Sequence, residues 1–227
     1  MTTALRWPVG VSLTSWRYLW RTTPLYRDER PGSWNEDAPP PLTDDVDRDD
    51  VQWPRDGSGP HFHRLYKVRI AGSELSAEQL AERLMANPDR AAPSEFATFQ
   101  KLRGEDGVLR VNDEFIVRMP GPWDGPVRVA RTSPRSFRLV TLAGHLEAGQ
   151  IEFRASNGEL LDFEIESWAR SGDRLSELLY DRLRLSKEVQ FHMWTSFLER
   201  VVKLAGGRRD GGLRIDTRKV TEVPPDA

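Results

Sequence analysis

The chain contains no cysteine among its 227 residues. That excludes disulfides, thiolate metal sites and a cysteine nucleophile, and it fits a reducing compartment. No run of 18 apolar residues occurs, so no segment reads as a membrane-spanning helix. The opening residues, MTTALRWPVGVSLTSW, lack the uninterrupted apolar stretch of a signal peptide, and a cytoplasmic location is expected. An excess of one charge is also missing. Lys and Arg number 33 against 35 Asp and Glu, a formal net charge of −2. A dedicated nucleic-acid binder would carry a clustered basic face, so no nucleic-acid partner is expected. GxxxxGK[ST], GxGxxG after a strand, GxSxG and HExxH are all missing. Nucleotide-binding and hydrolase readings therefore lack their usual signatures, and no cofactor is expected.

Tryptophan, by contrast, is plentiful. Five of the eight fall in the first 53 residues: Trp7, Trp16, Trp20, Trp34 and Trp53. Residues this large are costly to leave in water, so residues 1–35 read as an arm that docks onto its own domain or a partner. Within it Ser12 is placed to cap a short helix bearing Leu13, Trp16 and Trp20, which Pro24 would end. Residues 36–60 hold eight acidic residues, two arginines and five prolines. Such a stretch buries too little apolar surface to offset its ordering entropy and reads as an extended linker or long loop.

A folded domain is expected over residues 61–206. Phe62, Tyr66, Val68 and Ile70 suggest a strand whose alternation falters at Arg64 and Leu65. Ser76 to Met85 reads as a helix, with Ser76 and Gln79 forming a capping box and Asn87–Pro88 stopping it. Ser94 would cap a second short helix carrying Phe96, Phe99 and Leu102. Strands follow at residues 113–119, 127–132, 137–142, 150–155 and 160–168, the last two joined by an Asn157–Gly158 turn. A long helix from about Arg174 to Ala205 then ends at Gly206–Gly207. Residues 207–227, with their Gly, Arg and Pro, read as a disordered tail. The expected fold class is α+β: an antiparallel sheet curved around a long C-terminal helix, with the Trp-rich arm packed on it.

The element order is similar to the helix-grip architecture of the START, polyketide-cyclase and pollen-allergen superfamily. More closely, the run Thr141-Leu142-Ala143-Gly144-His145-Leu146-Glu147-Ala148-Gly149, with Phe153 and a strand ending Ser167-Trp168-Ala169-Arg170, resembles a bacterial and plant domain-of-unknown-function family. That family carries a TLPGH-x-E-x-G-E-x-x-F-like run. Ala143 stands where it has proline, and Gln150 where it has glutamate. The turn after Arg170 lacks the family's proline. The match covers about 65 residues. It implies a fold and brings no chemistry with it.

His61 and His63 lie two apart on one strand, so both rings share a face. A metal site needs further ligands, and the plain reading is two solvated histidines at a domain edge. His145 is the catalytic candidate: a general acid/base oriented by Glu147 or Glu152, or a ring that only hydrogen-bonds its own turn. Asp162, Glu164 and Glu166 oppose an apolar face and read as a sheet exterior. Arg118 is expected to point outward. His192, Ser196 and Glu199 form a polar stripe on the last helix. Phe115, Val117, Met119, Phe137, Leu139, Phe153 and Phe163, with Ile151 and Ile165, should face Met193 and Phe197. They form either a filled core or the lining of a ligand cavity.

The first functional expectation is a binder of a small apolar or amphipathic molecule. The alternatives are a cyclase, dehydratase or isomerase with an acid/base in the cavity, and an interaction module whose arm covers a second subunit, giving a homodimer, or a membrane surface.

Overall fold

The computed structural model describes residues 25–94, 97–118, 124–172, 185–225 and 227, and for 185–190 the backbone only. The expected short helix at Ser12, the arm tryptophans before residue 25, Met119 and the start of the last helix lie outside the described residues.

The strands are β1 (Leu25–Pro31), β2 (Ser58–Ala71), β3 (Thr98–Arg103), β4 (Glu114–Arg118), β5 (Asp124–Ser133), β6 (Ser136–Thr141), β7 (Glu147–Asn157), β8 (Leu161–Ser171), β9 (Arg208–Arg209) and β10 (Leu213–Val220). The helices are α1 (Trp34–Asp37), α2 (Ala77–Ala86) and α3 (Leu185–Leu204). One curved sheet runs in the order β1-β10-β2-β8-β7-β6-β5-β4-β3, with β9 also on β2. Every pairing is antiparallel except β1 with β10.

Local signals set several boundaries. The Ser76 hydroxyl accepts the Gln79 N–H at 3.3 Å, and the Gln79 side chain accepts the Ser76 N–H at 2.9 Å, so α2 opens on a capping box. Its Leu80 and Leu84 are buried. α3 closes as the sequence implies. Gly206, at φ +71, donates to the Lys203 carbonyl (3.1 Å) and Gly207 to that of Val202 (3.3 Å), the Schellman pattern. The β7–β8 hairpin turns at Gly158, and the Asn157 side chain accepts the first N–H of α2 at 2.9 Å.

Period-two alternation assigns the two sheet faces. Tyr66, Val68, Ile70, Phe115, Val129, Phe137, Phe153, Phe163, Ile165 and Ile215 join Phe191, Phe197, Leu198, Val201 and Val202 of α3 in the main core. α3 therefore lies across the inner face.

Three expectations change. Residues 98–103 form β3 rather than a helix: the segment pairs with β4 from Thr98↔Arg118 onward, and Phe99 packs edge-on to Phe115 at 6.4 Å. Residues 213–220 are β10 rather than a disordered tail. Leu213, Ile215 and Val220 are buried there, and the strand sits between β1 and β2. Residues 36–60, expected as an extended linker or long loop, instead end α1, strap the outer face over residues 38–53, turn at Pro54–Asp56 and enter β2. Leu42, Val46 and Val51 bury against Ala130, Val140 and Leu142, while Asp44, Asp45, Asp49 and Asp50 are exposed. The buried Arg128 guanidinium holds the strap through the carbonyls of Asp47 (2.8 Å) and Asp49 (2.7 Å). Gln52 fastens it further, donating to the His145 and Glu147 carbonyls and accepting from the Gly144 N–H.

Candidate functional site

Rows of residues cross the inner face of the sheet. Tyr66, Ile165, Phe153 and Phe137 stand side by side on β2, β8, β7 and β6. The rings of Phe137 and Phe153 stack at 4.7 Å. Phe153 meets Phe197 at 5.4 Å and Trp194 at 5.8 Å, and Phe163 meets Phe197 at 6.4 Å. Met193 and Val117 pack together with Ala97 and Trp194. Thus the described members of the expected inner set, Phe115, Val117, Phe137, Leu139, Phe153, Phe163, Met193 and Phe197, are gathered on one side.

Burial is uneven within this set. Ile151 lies on a central strand between the buried Leu139 and Ser167, yet it is only half-buried, as are Val117, Trp194 and Ser167. The row that holds Ile151 turns polar toward β10: Leu139, Ile151, Ser167, Arg64, Thr217. Arg64 is 6% exposed, and its guanidinium lies 4.3 Å from the centre of the Phe62 ring. Burial pushes the neighbouring Tyr66 phenol up, and the Arg64 charge opposes that rise. The expected lapse in alternation at Arg64 and Leu65 does not occur. The alternation is in fact unbroken: Phe62, Arg64, Tyr66, Val68 and Ile70 are buried, and the residues between them are less so. The signal was the period itself, which placed an arginine on the helix side.

Neither catalytic candidate stands in this grip. Glu152 alternates with Ile151 and Phe153, so it emerges on the opposite face. There its carboxylate takes two hydrogen bonds from Arg138, at 3.0 and 2.8 Å, both partners being buried. His145 sits in the β6–β7 connection. Its Nδ1 accepts the Glu147 N–H at 2.9 Å, and desolvation pushes the ring below its ordinary pKa. It contacts the Glu147 backbone, while the Glu152 carboxylate is taken up by Arg138 on the outer face.

The outer face is an ion-pair ladder. Lys67 bridges Asp162 (2.7 Å) and Glu164 (3.1 Å), and Arg154 bridges Glu164 (2.7 Å) and Glu166 (3.1 Å). Arg118 points outward to Asp124 and Gln100. The two histidines of β2 are not solvated. His61 is fully buried beside Trp34, with Nε2 donating to the Asp37 carbonyl at 3.1 Å and Nδ1 without a partner. Burial holds its pKa down to about 4. His63 stacks on Trp168, while Nδ1 meets the Asp37 carboxylate and Nε2 that of Glu166, each at 2.8 Å. Burial disfavours its charge, but the two carboxylates outweigh burial and raise its pKa. Among the described residues no group of three or more His, Asp or Glu side chains is arranged to hold a metal.

A curved, essentially antiparallel sheet closed over one C-terminal helix is the helix-grip class of α+β protein. No family model matches the chain, and no curated protein matches it. Solved structures do. A conserved protein from Geobacillus kaustophilus is 14% identical over 65% of this chain and 98% of its own, with a TM-score of 0.44. Norcoclaurine synthase from Thalictrum flavum, solved with dopamine and hydroxybenzaldehyde, is 10% identical over 64% and 87%, with a TM-score of 0.45. Major latex-like protein 151 from Panax ginseng is 13% identical over 65% and 99%, with a TM-score of 0.44. No site residue is carried over from any of them. Among the described residues no helix is long and apolar enough to cross a membrane.

Proposed function

We propose that the protein binds a small apolar or amphipathic molecule between the inner face of the sheet and α3. One observation carries this reading. Ile151 on the central β7, Val117 on β4 and Trp194 on α3 face the grip and remain half-buried, whereas Phe153, Leu139 and Phe137 are buried. An apolar surface left partly uncovered inside a concave sheet suits a ligand better than it suits water. The enzymatic alternative loses support, because Glu152 faces away and the Nδ1 of His145 is held by its own turn. The TLAGHLEAG run supports a place in the domain-of-unknown-function family it resembles. The near-neutral charge supports a protein without a nucleic-acid partner, and the lack of cysteine fits a cytoplasmic location. A homodimer made through the Trp-rich arm is tested separately, by size-exclusion chromatography.

The test is native mass spectrometry of the purified full chain, before and after addition of decan-1-ol. A bound small molecule or a decanol adduct is expected, and Ile151→Trp, which fills the half-open position, should weaken binding at least tenfold. Equal binding by wild type and Ile151→Trp would refute the proposed location.

A further inference from the structure

We infer that the ligand carries a negative charge, and that Arg64 reads it: an amphipathic anion, such as a carboxylate with an apolar body. The inference rests on the binding reading above and names the class of molecule.

Charge is sparse on the inner face: Arg27 of β1 lies 3.4 Å from the centre of the Phe191 ring of α3, Glu147 bears on Tyr66, and one row carries Arg64. On that row Arg64 stands between Ser167 and Thr217, with Ile151 next beyond Ser167. Neighbouring strands lie about 4.8 Å apart, so the Arg64 and Ile151 backbones are roughly 10 Å apart across two strand spacings. A molecule of that length would place an apolar end over Ile151, Phe153 and Trp194 and a charged end at the guanidinium. The hydroxyl of Ser167 lies between them on the same row.

The arginine also calls for a reason beyond packing. Taking a guanidinium out of water is expensive, and replacing a buried charge with an apolar side chain of similar volume is often neutral or stabilising. Leu or Met at position 64 would match Phe62, Tyr66 and Val68 around it. Arg64 engages other groups as well, and its planar fork carries five N–H donors. Its stacking on Phe62 fixes the direction of the fork.

The experiment compares decanoate with decan-1-ol at pH 7.5, below their aggregation limits. Dissociation constants for the full chain come from titration calorimetry, for wild type, Arg64→Met and Arg64→Lys. Wild type should bind decanoate at least tenfold more tightly than the alcohol. Arg64→Met should bind both about equally, and Arg64→Lys should retain part of the preference. Should Arg64→Met fail to fold, the wild-type ratio and Arg64→Lys decide. Equal affinity of wild type for acid and alcohol overturns the inference and leaves the binding reading standing, as does a preference that survives Arg64→Met. Binding of neither probe by wild type overturns both.

Discussion

The pairing of His63 with two carboxylates makes a stability curve of definite sign. Asp37, 1% exposed, belongs to α1 at the head of the strap, and Glu166 belongs to the sheet, so a charged His63 ties one to the other. A neutral imidazole has a single N–H and can donate to only one of them. Because the folded pKa is raised above the ordinary 6.5, the stabilisation is complete below that value. It is lost as pH climbs through the folded pKa. Glu166 is lowered: burial works against its charge, but His63 and Arg154 prevail, so its contribution holds above its ordinary 4.5 and fades in acid. His61 acts the other way from His63. An unfolded chain protonates it near 6.5 and the folded one near 4, so acidification costs stability there. Subtracting the His63→Gln curve from wild type removes the part of the His61 contribution that comes from burial, its largest cause, and leaves the smaller part owed to the His63 charge. Each charge-assisted hydrogen bond contributes about 1.5–3 kcal/mol. The Ser33 N–H at 2.9 Å and Arg218 at 3.6 Å would still serve Asp37 in the variant. The net loss at pH 6 should then be about 3 kcal/mol, roughly 6–12 °C in Tm for a chain of this size. Thermal melts from pH 5.5 to 9 should show the difference greatest at the acid end and shrinking toward pH 9. A flat difference, or a His63 titration by NMR at or below 6.5, would refute the reasoning.

Gly149 should tolerate no side chain. A Cβ there would meet the Trp168 carbonyl oxygen at 1.9 Å, so Gly149→Ala should cost about 3 kcal/mol or more by denaturant unfolding, and an unchanged midpoint would sink the claim. Glu152→Gln should destabilise by about 3 kcal/mol because it strands the buried Arg138, and it should leave decanoate affinity unaltered because it lies behind the sheet. A change in affinity without a change in stability would restore Glu152 as a candidate for the site.

Much of this fold was legible from alternation and punctuation. The stripe Leu161, Phe163, Ile165 opposite Asp162, Glu164, Glu166 sets the register of β8, and both ends of α2 and the end of α3 follow their capping residues. The departures lie where composition and pattern disagree. LRIDTRKV alternates as a strand should, but nearby glycines and arginines suggested disorder. The acidic run looked unable to bury itself, yet three well-spaced side chains, Leu42, Val46 and Val51, suffice when a ready sheet face receives them. Residues 98–103 carry Phe99 and Leu102 at helical spacing, and pairing with β4 overrode that local preference. For the site, inner and outer membership could be read from strand parity, which also predicts that Glu152 faces away from Phe153. No local pattern announces that Asp37 will reach His63, since the two meet only after the strap has crossed the sheet.

The place of β10 has a bearing on how the molecule is made. Leu25 lies beside Leu213, and β2 is flanked by β8 on one side and β10 on the other. During synthesis β2 must therefore wait, with one margin bare, until residues 213–220 have left the ribosome. Pairings between such distant segments form slowly, and a bare margin invites unwanted partners in the meantime. A nascent chain stalled before Leu213 should accordingly depend on chaperones more than the released one does.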